Sequence, residues 1–131
     1  PIGLGFYPEL YEGNEEIGKV CSICGYGISG TFRTGCVKLN NEKRAGSNII
    51  ESEFQDTIVC SASRPSEKDR TELEFMIASG DSGGGLFIDG KLAGINSFVS
   101  ATDGSPNSSY GDEAHHTRVS RFVPWIRKNI K

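Results

Sequence analysis

The stretch ASGDSGGGLFIDGKLAGINSF, residues 78–98, sets a serine between an aspartate and three glycines, then runs directly into an apolar pattern broken by Asp-Gly. Residues 84–88 (GGLFI) and 91–98 (KLAGINSF) read as two strands. Asp89-Gly90 between them is a dipeptide suited to the two positive-φ positions of a two-residue hairpin turn. Gly80 and the run Gly83-Gly84-Gly85 let the chain turn tightly and bring backbone N–H groups close to a ligand. Ser82 on such a turn is a candidate nucleophile, provided that N–H donors face a developing oxyanion and a base takes its proton. On the pentapeptide alone, a plain polar turn of Gly, Asp and Ser competes with that chemistry.

Working outward, residues 18–24 (GKVCSIC), 44–50 (RAGSNII), 56–60 (DTIVC) and 115–119 (HHTRV) are short runs of β-branched and apolar residues bounded by turn formers. With the hairpin they make six strands, and their spacing predicts a small antiparallel barrel or sandwich. SRFVPWIRKNIK differs: Phe122, Trp125, Ile126 and Ile130 recur at helical spacing, with Arg127, Lys128 and Lys131 near the C-terminal end. The pattern predicts one amphipathic closing helix, capped by Ser120 and tolerating Pro124 in its first turn.

The chain has 131 residues, 17 of them glycine, and a net charge of −3. That length suits one domain, and scattered basic residues offer no stripe for a phosphate backbone, so nucleic acid is excluded as an expected partner. No run of eighteen apolar residues exists to span a membrane. Cys21, Cys24, Cys36 and Cys60 allow three pairings, and disulfides or buried thiols fit their spacing better than a zinc site. No metal or organic cofactor is expected.

Several ordered landmarks together resemble the C-terminal barrel of the chymotrypsin/trypsin family of serine endopeptidases. They are Gly80-Asp81-Ser82-Gly83-Gly84, Cys24-Gly25-Tyr26-Gly27, Thr57-Ile58-Val59-Cys60-Ser61, Ala93-Gly94-Ile95-Asn96-Ser97-Phe98, and Thr117-Arg118-Val119 with Val123-Pro124-Trp125-Ile126. The resemblance implies an all-β fold: a six-stranded antiparallel barrel over residues 18–131 with a C-terminal helix, preceded by a linker-like segment at 1–17. It further implies Ser82 as nucleophile, the N–H groups of Gly80 and Ser82 as oxyanion hole, and Asp81 as acceptor of an amino group freed by zymogen cleavage. Asp81 would lock the turn through an internal ion pair. Ser97 would hydrogen-bond a triad aspartate, and residues 97–99 would pair with a polypeptide substrate. Met76, Ser79, Ser97, Phe98, Val99, Ala114 and His116 would border the substrate site, with Val99 and Ala114 narrowing it toward small apolar side chains. Two rival preferences are acidic residues, if His115 or His116 faced the pocket, and basic ones, if Glu74 replaced Met76 at its base. A secreted or periplasmic location goes with the resemblance.

The departures are equally informative. The family's triad runs His, Asp, Ser along the chain, yet no histidine precedes Ser82. Pro1-Ile2-Gly3-Leu4-Gly5 looks like the linker after the triad aspartate, so the chain is expected to be half an enzyme. It would be nearly inactive alone, and would need an N-terminal barrel to supply His and Asp. Ile88 and Ala78 stand where the family has cysteines, so any disulfide is private to this chain, with Cys24–Cys36 one option. Two alternatives remain: an α/β-hydrolase-like triad using His115 or His116, which requires a helix directly after Ser82, and an inert protease-like module for protein binding.

Overall fold

The computed structural model describes residues 7–130. Alternation decides the strands. In β1 (Val20–Gly25), Cys21 and Ile23 point inward while Val20 and Ser22 stay exposed, the period-two pattern of a half-buried sheet. There follow a short hairpin of β2 (Ser29–Thr31) and β3 (Gly35–Lys38), then β4 (Arg44–Ile49), β5 (Ser52–Phe54), β6 (Thr57–Ser61), β7 (Gly85–Ile88), β8 (Lys91–Ser100) and β9 (Glu113–Arg118). A 3₁₀ turn at Val119–Arg121 leads into helix α1 (Val123–Asn129). Seven strands form one antiparallel sheet in the order β4-β1-β7-β8-β9-β6-β5.

That sheet curls on itself. Asn48 on β4 donates from its side-chain amide to the Ser61 carbonyl on β6 at 3.0 Å, joining strands far apart in the ladder. The enclosed core holds Ile23, Ile50, Ile58, Leu86, Ile88 and Ala93. Burial of each Ile or Leu contributes roughly 1.5–3 kcal/mol relative to exposure. The result is a curled, mostly β architecture with one short C-terminal helix, as the sequence resemblance implies.

All six expected strands form, with ends shifted by a few residues. β5 is additional: its three residues SEF are all exposed, so no apolar alternation marks them. The β2–β3 hairpin is additional too, because SGT and GCVK carry no run of apolar and β-branched residues. At the β7–β8 turn Asp89 and Gly90 both take positive φ, 50° and 75°, and Ile88 pairs with Lys91. Residues after Ser82 enter β7 with no helix between, which removes the hydrolase-elbow alternative.

The C-terminal helix needs correcting. Ser120 lies in the 3₁₀ turn and does not cap α1; its hydroxyl donates to Glu16 at 2.7 Å instead, and Phe122 occupies the cap without a side-chain bond. Pro124 does sit in the first turn. No residue of α1 is buried, and Trp125 is 66% exposed, so the helix does not close the barrel's core. The Pro1–Gly5 segment read as a linker lies outside the described residues. From Glu9 onward the chain runs beside β8: Tyr11 N–H donates to the Leu92 carbonyl, and Leu92 N–H to that of Glu9. Arg118 then fastens this segment to β9, donating to both carboxylate oxygens of the fully buried Glu16 and to the Asn14 carbonyl. Burial alone would raise the Glu16 carboxyl, but the Arg118 and Ser120 hydrogen bonds hold it below its usual value.

Candidate active site

The turn between Ala78 and Gly84 is built from the inside. Gly80 and Gly83 adopt φ of +100° and +82°, which a side chain would strain. Asp81 N–H donates to the Ala78 carbonyl at 3.0 Å, and Gly84 N–H to that of Asp81 at 3.1 Å. The Asp81 side chain points away from Ser82's surface and is 5% exposed. Its two oxygens accept the N–H groups of Gly27 at 2.8 Å and Ala78 at 2.9 Å. Asp81 thus meets two backbone amides, and among the described residues it forms no ion pair. Gly25 and Gly27 make room for it: a Cβ on either would stand 1.8 Å or 2.6 Å from the carboxylate.

A second support was invisible in the sequence. Asn96 on β8 grips the turn at three points: its N–H donates to Gly84 at 2.8 Å, its carbonyl accepts from Gly83 at 2.9 Å, and its side-chain amide donates to the Asp81 carbonyl at 3.1 Å. Its remaining side-chain oxygen lies 2.9 Å from His116 Nδ1. Since that oxygen can only accept, Nδ1 carries the proton and the neutral ring completes the chain His116–Asn96–Asp81. A lone Asn in a strand gives no signal; only the β8–β9 register, Asn96 opposite His116, places it under the turn.

The outer side is open. Ser82 is exposed, and its hydroxyl's one contact is the Ser97 carbonyl at a long 3.5 Å. Among the described residues the N–H groups of Gly80 and Ser82 have no acceptor. Ser97 itself sits where the β8–β9 register slips between Asn96 and Phe98, a bulge that re-aims the backbone toward Ser82. Ser79, Ser82, Ser97, Phe98 and Val99 come together along one open groove that Pro106 also lines.

Three residues expected at that groove lie elsewhere. Met76 is 5% exposed and packs into the core, beside an inner pocket that also touches Asp81 and Glu74. Ala114 is fully buried opposite Val99. His116 is fully buried as well, against Gly94 in the barrel interior, because the inward face of β9 carries it there. Burial drops its pKa to about 4, with nearby His115 adding in the same direction. As adjacent strand residues must, the two histidines diverge. His115 stacks on Phe98 with ring centroids 4.3 Å apart, its nitrogens near Thr57 and Ser100 hydroxyls. Burial lowers its pKa too, against the pull of Glu113. Neither ring bonds Ser82. The Glu74 carboxylate has a side chain 1% exposed, 3.5 Å from Arg70, and does not line the groove.

All four cysteines are unbridged in this structure, Cys21 and Cys60 buried and Cys24 and Cys36 partly buried. Among the described residues no group of three or more His, Cys, Asp or Glu side chains is placed to hold a metal ion. No helix among them is long and apolar enough to cross a membrane.

Comparison with known proteins names the class these features define. The family model described as Trypsin matches residues 7–126, and the chain belongs to that family of chymotrypsin/trypsin-like serine proteases. Among curated proteins, Mast cell protease 8 of Mus musculus is 31% identical over 120 residues, covering 87% of this chain and 42% of that protein. Kallikrein 1-related peptidase b22 of Mus musculus is 35% identical over 124 residues, covering 88% and 43%. Among solved structures, neuropsin, a serine protease expressed in the limbic system of mouse brain, superposes with a TM-score of 0.71 at 22% identity, covering 98% of this chain and 57% of that one. The chain thus spans about two fifths of the length of these two curated relatives.

Proposed function

We propose that this chain is the C-terminal half of a serine endopeptidase in which Ser82 is the nucleophile. The observation that carries this reading is the contrast within one turn: an exposed Ser82 hydroxyl and two unengaged N–H groups stand on a backbone fixed from behind by Asp81 and Asn96. Ser82 Oγ attacks the scissile carbonyl and passes its proton to a histidine held outside this sequence. The carbonyl oxygen, now negative, accepts the N–H groups of Gly80 and Ser82. The histidine's proton goes to the leaving amine, and water then cleaves the acyl-enzyme by the reverse roles. Catalysis on this chain requires no metal or organic cofactor.

The histidine and aspartate come from an N-terminal barrel, either a separate chain or a preceding segment. Exposed Phe122, Trp125 and Ile130 around α1 support such a neighbour, because apolar side chains grouped on one element gain by being covered. An amino group freed by cleavage would approach the Asp81 carboxylate from the inner pocket. The substrate backbone lies along Ser97–Val99, and Val99 with Phe98 and Ser79 favours small apolar side chains before the cleaved bond. A secreted or periplasmic location follows from that role.

The test is a fluorophosphonate label on the assembled protease, mapped by peptide mass. The label is expected on Ser82 and absent from Ser82→Ala. Labelling at another residue refutes the assignment, and no labelling of the assembled protein favours an inert binding module.

A further inference from the structure

The core contains a thiol pair that the catalytic reading does not use. Cys21 on β1 and Cys60 on β6 are 1% and 0% exposed, and their sulfurs lie 3.8 Å apart. The two strands are not neighbours in the sheet, where β7, β8 and β9 separate them. The contact therefore crosses the barrel interior. Cys21 also sits 3.4 Å from the Asn48 carbonyl, which fixes its sulfur beside that of Cys60. The other two cysteines are only partly buried, and neither has a thiol partner.

We infer that Cys21 and Cys60 form a disulfide across the barrel when the chain folds in the presence of a low-molecular-weight disulfide such as glutathione disulfide. A disulfide bond is about 1.8 Å shorter than the observed contact, so the two sulfurs close by that much when it forms. Either sulfur starts the exchange as a thiolate, and the steps are the same from both. Taken from Cys21, its thiolate displaces one glutathione thiolate and becomes a mixed disulfide. Cys60 then loses its proton and attacks the Cys21 sulfur, forming the protein bond and expelling the second glutathione thiolate. Two protein thiols are oxidised, one glutathione disulfide is reduced to two thiols, and the two thiol protons end on the released glutathione. Because both sulfurs are buried in the folded chain, exchange takes place before the barrel closes.

The bond would join strands 39 residues apart. It would also anchor β1 just ahead of Gly25 and Gly27, the residues that make room for Asp81.

The experiment folds the full chain in a glutathione redox buffer, alkylates free thiols under denaturing conditions and maps unreduced peptides by mass. Expected is a cross-linked Cys21–Cys60 peptide in most molecules, with Cys24 and Cys36 alkylated. Alkylation of all four cysteines, or a bridge involving Cys24 or Cys36, overturns the inference. Melting gives a second readout: a reductant should lower Tm by roughly 10 °C in the unmodified sequence, and leave Cys60→Ala unmoved. An unmodified chain whose Tm ignores reductant also overturns it.

Discussion

The two sides of one short turn have opposite characters. Behind it, Asp81 is 5% exposed and both its oxygens are satisfied, and Asn96 and His116, buried in the same network, are 2% and 0% exposed. In front, Ser82 is exposed with one long contact, and two N–H groups point at no acceptor. Buried polar groups are normally paired because each unpaired one costs about 1–3 kcal/mol. The pairing behind the turn is therefore what lets the donors in front stay free. Buried pairing is concentrated on one side and open donors on the other.

Substitutions should separate the two sides. The largest loss is expected from Gly25→Ala, whose Cβ would stand 1.8 Å from an Asp81 oxygen already held by the Gly27 amide. Denaturant unfolding should show a loss of about 3 kcal/mol or more. A loss under 1 kcal/mol would mean that the Asp81 cradle is loose.

Acid comes next. His116 has a folded pKa of about 4 against an ordinary 6.5, so the unfolded state binds more protons between those values and stability falls as pH drops through that window. The full effect approaches about 3 kcal/mol, with His115 adding in the same direction. Glu16 contributes separately at lower pH, since its depressed carboxyl stabilises above the usual carboxylate range and loses that contribution as it is protonated. His116→Gln removes the titration while keeping a donor for Asn96. Its unfolding free energy should be flatter between pH 6.5 and 4, and an unchanged slope would contradict the assignment.

Asp81→Asn is smaller. It turns one acceptor into a donor facing a backbone N–H, for about 2 kcal/mol of stability. In the assembled protease it should cost roughly 10²-fold in rate. Smallest of all is Ser82→Ala on the open side, within about 0.5 kcal/mol in unfolding, although it should remove all fluorophosphonate labelling.

What the sequence disclosed follows the same division. The Gly80–Gly84 turn, the Asp89-Gly90 hairpin and the six expected strands were legible because their signals are local: glycine, turn dipeptides and short runs of β-branched and apolar residues. The support behind the turn was not, since Asn96 and His116 act only through a register between β8 and β9 and a bulge at Ser97. The same non-local placement put Met76, Ala114 and His116 inside the barrel, away from the groove where the family pattern suggested they would stand. Helix α1 carried a clear apolar stripe, but periodicity does not say what covers it, and here no described residue buries it.

The central claim is that Ser82 is a prepared nucleophile whose base lies outside this sequence. The most direct measurement compares kcat/KM on a peptide amide for the chain alone and for the chain assembled with an N-terminal barrel carrying histidine and aspartate. Expected are near-background hydrolysis alone, a rise of at least about 10³-fold on assembly, and its abolition by Ser82→Ala in this chain. Equal activity with and without the partner barrel, or an assembled Ser82→Ala protein that still turns over, would contradict it.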